Sequence, residues 1–208
     1  LDALAGEGAG DAQLQTEVAA GYVRVGNIQA DQLVASMGDR EGGKRSLLKA
    51  KSIVEPLIKE NPESEHPVVV MVDAHVSLAE ILGRDGGSDE GKRLLEEAIR
   101  VATPVASKPG AGLEVRRRLG LAHMTLVRDY AGRKDGAHQA EALMAVIESL
   151  EKDIDKHRDL MNEIGVANSV AAGAYIRAGE DLKAVPLLQK AVALQNKVVA
   201  RNPQDTVA

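Results

Sequence analysis

Residues 171–180 read Ala-Ala-Gly-Ala-Tyr-Ile-Arg-Ala-Gly-Glu, and Ala184, Leu188 and Ala191 follow them. A pair of small residues precedes Tyr175, and Gly179 comes four positions after it. Intervals of three and four residues place side chains on one face of a helix. A glycine can end a helix because it adopts the left-handed conformation without the strain that a Cβ causes. The stretch therefore predicts two helices separated by a turn at Gly179.

The same order of residues recurs in three earlier parts of the chain, which makes four repeats. The corresponding positions are Val18-Ala19, Tyr22 and Gly26 in the first repeat, Leu78-Ala79, Leu82 and Gly86 in the second, and Leu119-Gly120, His123 and Val127 in the third. In the first repeat an insertion at Asn27–Gly43 delays the second helix. The third repeat is degraded because Val127 replaces the glycine, and its turn is expected at Gly132 or Gly136. Internal repetition of this kind is typical of arrays of stacked helix pairs.

The repeats predict an all-α protein with eight helices. They are expected at about residues 12–25, 40–60, 66–83, 89–107, 112–131, 136–157, 159–178 and 181–201. The expected N-caps are Asp39, Ser88, Asp135 and Asp181. Pro56 and Pro104 should kink their helices, since a proline in mid-helix removes a hydrogen bond, and distortion is expected near Pro186. Residues 1–11 read as the tail of a preceding helix and a turn, and residues 12–208 as one repeat domain.

The composition of the chain argues against several classes of function. The chain has 26 basic and 31 acidic residues, a net charge of −5 and no cysteine. Mixed charge without a basic face argues against nucleic-acid binding, and the lack of cysteine excludes disulfides and thiolate metal sites. No run approaches the roughly 18 apolar residues of a membrane span. The start at Leu1 suggests a fragment of a longer protein. A cytoplasmic location is favoured, and an extracytoplasmic one is the alternative for a membrane-anchored parent.

The pattern of small pair, tyrosine, glycine and then Ala or Gly, Leu and Ala resembles the tetratricopeptide repeat over about residues 12–201. Residues 22–29, Tyr-Val-Arg-Val-Gly-Asn-Ile-Gln, together with Gly38-Asp39, are similar to repeats that follow the catalytic domain of bacterial eukaryotic-type serine/threonine kinases. Leu82 and Val127 depart from the repeat pattern. The resemblance implies a right-handed superhelix of antiparallel helix pairs whose concave face binds peptides or protein surfaces.

Residues suited to catalysis or metal binding do not form a recognisable site. The histidines, interpreted as structural, are His66, His75, His123, His138 and His157. They include no closely spaced pair of zinc ligands on one helix. His157-Arg158-Asp159 mimics the start of a kinase catalytic loop, but Ile164 stands where the magnesium-binding asparagine should be. The glycine-rich segments 6–10 and 85–89 fit neither a phosphate loop nor a calcium loop. We therefore expect no catalytic, cofactor or metal site.

One pattern of charged residues repeats with the helices. Arginine occupies the same place near the end of each first helix, at Arg24, Arg84, Arg128 and Arg177. A cation there complements the helix dipole, which is the favoured interpretation. The alternative is a ladder of guanidinium groups that binds an acidic or phosphorylated peptide. The other candidate groove residues are Thr16, Ala20, Val76, Glu80, Arg117, Met124, Ser169 and Gly173.

Two functional hypotheses follow from the repeats. The first is a non-catalytic protein-interaction module that binds a peptide or protein surface in its groove, within a larger bacterial regulatory protein such as a serine/threonine kinase. The second is a self-association element or rigid spacer that stacks through its terminal helices. An enzyme is the least favoured alternative, because it would need a pocket with converging carboxylates or histidines.

Overall fold

The computed structural model describes residues 10–30, 39–84, 88–132 and 135–201. Within these ranges the regular structure is helical throughout, and no strand is present. The α-helices are α1 (Ala12–Ala30), α2 (Arg40–Glu60), α3 (Glu65–Arg84), α4 (Ser88–Ala106), α5 (Leu113–Thr125), α6 (Gly136–Glu151), α7 (Arg158–Ala178) and α8 (Asp181–Arg201), and a π-helical turn covers Leu126–Tyr130. In the part of the chain that the structure describes, the prediction of an all-α protein with eight helices is confirmed.

The chain divides into two compact units, an N-terminal unit of Leu1–Ala122 and a C-terminal unit of His123–Ala208. In the N-terminal unit, α1 packs against α2, α2 against α3 and α3 against α4. Tyr22, the tyrosine of the first repeat, is buried in the core of this unit. The aliphatic core around it includes Val18, Leu47, Ala50, Val54, Met71, Ala74 and Leu78. Helices that are adjacent in sequence are therefore adjacent in space, as a helical repeat requires.

In the C-terminal unit, α6 packs against α7 and α7 against α8, and the π-helical turn contacts both α6 and α7. Tyr175, the tyrosine of the fourth repeat, is also buried. Lys183 lies over its ring, with Nζ 5.2 Å from the ring centre. This cation–π contact and the burial of the ring fix α8 against the end of α7.

Gly179 ends α7 as predicted. Its φ of +81° is left-handed. The backbone N–H of Glu180 donates to the Tyr175 carbonyl oxygen at 2.9 Å, and that of Gly179 donates to the Ile176 carbonyl oxygen at 3.0 Å. These bonds satisfy carbonyl groups at the helix end that would otherwise lack a partner.

Gly26 does not end the first helix, so the predicted end at residue 25 is wrong. Helix α1 continues to Ala30, and Gly26 is buried against α2. A Cβ on Gly26 would lie 2.8 Å from Leu47 Cγ, and one on Gly43 would lie 2.9 Å from Ala30 Cβ. The two glycines therefore let the helices approach closely, which a turn glycine does not do.

The expected insertion at Asn27–Gly43 is correspondingly shorter. Residues 27–30 are helical, and α2 already begins at Arg40. Residues 31–38 lie outside the described part of the chain, as does Gly86, the expected turn glycine of the second repeat. The first helix pair is thus more regular than its sequence suggested.

The third repeat departs from regular α-helix where its glycine is missing. Helix α5 ends at Thr125 and passes into the π-helical turn. Val127, at the position equivalent to Gly179, is fully buried within that turn. A β-branched residue resists the left-handed conformation, so the chain cannot turn here as it does at Gly179. Of the two expected turn glycines, Gly132 follows the π-helical turn and Gly136 begins α6.

Two of the predicted caps form no side-chain cap. Asp39 does accept a hydrogen bond from the Gly42 backbone N–H at 2.7 Å, as predicted. Asp135 precedes α6 without such a bond, and Asp181 is the first helical residue of α8. Ser88 begins α4, and its side chain lies outside the described part of the protein. Asp11 is an N-cap of α1 that the sequence pattern did not predict. Its Oδ1 accepts hydrogen bonds from the backbone N–H groups of Gln13 and Leu14.

Other helix boundaries agree with expectation except in α6, which ends at Glu151 instead of residue 157 and is followed by a turn. Helices α2, α4 and α8 continue on both sides of Pro56, Pro104 and Pro186 respectively. A kink at these prolines stays a prediction.

The second helix of every repeat carries one shared series of positions, spaced by four, three, four and three residues. The series is Gly43, Leu47, Ala50, Val54 and Leu57 in α2, Gly91, Leu95, Ala98, Ala102 and Val105 in α4, Gly136, Ala140, Leu143, Ile147 and Leu150 in α6, and Ala184, Leu188, Ala191, Gln195 and Val198 in α8. All members are buried in the first three of these helices. The third repeat, degraded in its first helix, is therefore regular in its second.

One described helix, α3, is long and apolar enough to span a membrane by composition alone, and 61% of its most apolar window is buried inside the protein. It packs against α1, α2 and α4. These contacts account for its apolar composition.

The close contact at Gly26 makes a testable prediction. Gly26→Ala should lower the free energy of unfolding by about 1–3 kcal/mol, because the new methyl group overpacks the interface with α2. Gly165→Ala in α7 is the control, since a Cβ there would meet Ala191 O and Leu194 Cβ at an ordinary 3.7 Å. It should be neutral or raise stability by up to about 1 kcal/mol. Urea unfolding measures both, and equal stabilities for the two variants would refute the close approach.

Candidate functional site

The first helices of three repeats, α1, α3 and α5, line a cavity of about 530 Å³ in the N-terminal unit. Its wall consists of Ala20, Val23, Arg24 and Asn27 from α1, Val70, Asp73, Val76, Ser77 and Glu80 from α3, and Arg118 and Leu121 from α5. Residues three or four apart on each helix contribute, because such residues share a face. The cavity therefore follows from the repeat arrangement of the first helices.

The wall has an apolar part and a polar part. Val23, Val70 and Val76 are buried and form an aliphatic surface. Arg24 and Asn27 are exposed and lie one helical turn apart on α1. An apolar surface with a few polar groups placed beside it is the usual character of a ligand pocket.

An ion pair joins two of the lining helices. Arg118 Nε in α5 lies 2.7 Å from Asp73 Oδ1 in α3, and an Arg118 terminal nitrogen lies 2.7 Å from Glu114 Oε1. Burial raises the pKa of Asp73, although the Arg118 guanidinium opposes this rise. The pair positions α5 beside α3, and its guanidinium is already shared between two carboxylates.

Arg24 has a different environment. Its side chain is exposed at the cavity, and no hydrogen bond or ion pair joins its guanidinium to any residue in the described ranges. A guanidinium without a fixed acceptor can donate to an incoming carboxylate or phosphate.

The predicted groove residues of the N-terminal unit fall into two groups. Glu80 lines the cavity with Arg24, as do Ala20 and Val76. Thr16 is buried, and its hydroxyl donates to the Ala12 carbonyl oxygen at 2.7 Å. The remaining candidates are outside the cavity wall. Arg84 is exposed at the end of α3, and Arg117 lies 3.7 Å from a Glu114 carboxylate oxygen.

In the C-terminal unit the predicted groove side chains have acceptors within the protein. Arg128 donates to both carboxylate oxygens of Asp129, at 2.8 and 2.7 Å. Arg177 donates to the Val127 carbonyl oxygen of the π-helical turn at 3.2 Å, and Ser169 donates to the Gly165 carbonyl oxygen. The Arg177 guanidinium thus contacts a carbonyl of the π-helical turn, whereas the dipole interpretation concerns the end of its own helix, α7.

Four polar residues of the cavity wall were missed from the sequence: Asn27, Ser77, Asp73 and Arg118. The sequence pattern places Asn27 in an insertion, because it predicts that the first helix ends before Gly26. Asp73 did carry a signal, since it is a lone carboxylate after the apolar run of residues 67–72. A charge in such a run needs a partner when it is buried.

Two of the histidines, His75 in α3 and His123 in α5, are buried. Both ring nitrogens of His75, and Nδ1 of His123, have no hydrogen-bond partner among the described residues. Burial lowers the pKa of each ring to about 4. Among the described residues, no three His, Asp or Glu side chains converge as metal ligands do.

No protein-family model matches the chain, and no curated protein or solved structure matches it either. The resemblance to tetratricopeptide repeats therefore rests on the pattern of residues in the sequence.

The buried histidines predict a pH dependence of stability. Their folded pKa of about 4 lies below the ordinary value of 6.5, so between these pH values the unfolded chain binds protons that the folded chain does not. Acidification through this window should lower the free energy of unfolding by up to about 1.4 kcal/mol per pH unit for each histidine. His75→Leu should remove its share of the slope, measured by urea unfolding at several pH values. The control is His66→Gln, at an exposed residue, and an unchanged slope in His75→Leu would contradict the prediction.

Proposed function

We propose that the chain is a non-catalytic protein-interaction module of the tetratricopeptide type, and that it binds a peptide in the cavity between α1, α3 and α5. The observation that carries this proposal is the wall of the cavity, which successive first helices share. A superhelical arrangement of the repeats is part of the proposal, since the first helices then line one continuous concave surface.

The size of the cavity suits part of a peptide. Its volume of about 530 Å³ lies within the roughly 300–1,000 Å³ of small-ligand pockets. An open groove between helices can hold an extended segment, because water still hydrogen-bonds the backbone groups on the segment's exposed side. We infer that one or two ligand side chains enter the cavity while the rest of the peptide lies along the helices.

The chemistry of the wall selects the ligand. Val23, Val70 and Val76 offer an aliphatic surface for an apolar side chain. Arg24 offers an unengaged guanidinium for a carboxylate or phosphate, and Asn27 offers an amide beside it. The ligand is thus an acidic peptide segment whose negative group lies next to an aliphatic residue. Arg118 is less available to the ligand because Asp73 and Glu114 already hold its guanidinium.

The larger setting is also a proposal. The similarity of residues 22–29 to repeats beside bacterial serine/threonine kinase domains supports a regulatory region of such a protein. In that setting the module would bring an acidic or phosphorylated segment close to the kinase, which is a recruiting role and involves no chemistry within the repeats.

The role of Arg24 can be tested with random peptides displayed on phage. Selection on the 208-residue chain should enrich Asp or Glu beside an aliphatic residue. Arg24→Gln should weaken the selected peptides by about 10- to 100-fold, because a hydrogen bond to a charged group contributes about 1.5–3 kcal/mol.

The matched control is Arg84→Gln. Arg84 holds the same repeat position but lies outside the cavity wall, so its removal should leave affinity within about twofold, well under 1.4 kcal/mol. Equal affinities for the wild type and Arg24→Gln, or selected peptides without acidic residues, would refute the proposal.

A further inference from the structure

Helix α8 carries an uncovered apolar stripe. Of the ten large hydrophobic residues exposed in the described part of the protein, five belong to this helix: Leu182, Val185, Leu188, Val192 and Val199. Leu182 is 92% exposed and Val192 is 59% exposed. Their spacing of three, three, four and seven residues places them on one face. A contiguous exposed apolar face of this kind marks an interaction surface.

The lysines of α8 lie on the opposite side. Lys183, Lys190 and Lys197 are spaced by seven residues, and each precedes a member of the series Val185, Val192, Val199 by two positions. Two positions correspond to about 200° around a helix. Lys183 pairs with Glu141 at 3.1 Å, and Lys190 pairs with Glu151. Because both glutamates belong to α6, the apolar stripe faces away from α6.

Comparison with α2 and α6 identifies what is missing beside α8. The positions equivalent to Leu188 are Leu47 and Ala140, and neither is exposed. Helix α2 packs against the following first helix, α3, and α6 packs against α7. Leu188 is 40% exposed. In the described part of the protein, α8 packs against one first helix, α7, whereas α2 packs against two, α1 and α3.

Helix α1 also carries an apolar stripe that is incompletely covered. In α7, Ala174 is buried and faces Gly136 of the preceding helix α6, whose added Cβ would lie 3.7 Å from Ala174 Cβ. The equivalent residue in α1 is Gly21, which is only half-buried, and Val25 and Ile28 extend the same stripe as exposed residues. Within the described ranges, Gly21, Val25 and Ile28 thus form an incompletely covered stripe on α1. Residues 1–9, where the tail of a preceding helix is expected, lie outside these ranges.

We propose that copies of this chain stack head to tail, with the α8 stripe of one copy against the α1 stripe of the next. The contact continues the packing of second helix on following first helix that each unit already uses. The α8 stripe is aliphatic apart from Asp181, which lies one helical turn before Val185 at the start of the helix. Such a contact joins two different surfaces, and it therefore produces an open chain of copies or a closed ring.

Sedimentation velocity and light scattering of the full chain over a wide concentration range test this assembly. The wild type should exceed its monomer mass of 22.0 kDa and grow past the dimer as concentration rises. Val192→Glu blocks the α8 stripe and Ile28→Glu blocks the α1 stripe, so each variant alone should remain monomeric. Leu48→Glu, at an exposed residue of α2 outside both stripes, is the control and should associate as the wild type does.

Mixing the Val192→Glu and Ile28→Glu variants distinguishes a head-to-tail contact from a symmetric contact. Val192→Glu retains an intact α1 stripe and Ile28→Glu retains an intact α8 stripe, so an equimolar mixture should form a 1:1 dimer and nothing larger. A symmetric α8–α8 contact would instead leave Ile28→Glu dimeric and give no mixed dimer, which would overturn the proposal. A wild type that stays monomeric at every concentration would also overturn it. Circular dichroism confirms that each variant is folded.

Discussion

The packing of each second helix against its neighbours is the constraint on which the structure depends. Every second helix begins its buried series with a small residue, and at Gly43 this residue faces Gly26 closely enough to exclude a Cβ. Close approach brings the aliphatic positions that follow, such as Leu47 and Val54, into full burial. Protein interiors are packed at crystal-like density, so this spacing determines where the neighbouring first helices lie.

Most of the helix boundaries could be predicted from the sequence, because the spacing of apolar and small residues shows which residues share the buried face of a helix. The errors come from residues whose role depends on tertiary contact. Gly26 and Gly179 occupy the same repeat position, yet one allows a close helix contact and the other turns the chain. The π-helical turn at Val127 could not be predicted from the spacing of residues, because a buried valine is compatible with both an α-helix and a π-helix.

Less of the candidate site than of the fold could be predicted from the sequence. The repeated position identifies Arg24, but it groups Arg24 with arginines that the structure places in other environments. Arg128 binds its neighbour Asp129, and Arg177 binds a carbonyl of the π-helical turn. The Asp73–Arg118 ion pair joins residues 45 positions apart in two helices. Such a contact depends on helix orientation, and one sequence does not specify that orientation.

The central claim is that the first helices of the N-terminal unit form a single peptide-binding surface. Titration of ¹⁵N-labelled protein with a phage-selected acidic peptide, followed by amide chemical shifts, tests it most directly. We expect the largest changes in amide chemical shift at five residues of the lining helices, while the chemical shifts of the exposed face of α8 stay unchanged. The five residues are Arg24 and Asn27 in α1, Ser77 and Glu80 in α3, and Leu121 in α5. Saturable shifts confined to α8, or confined to one of the three lining helices, would contradict it.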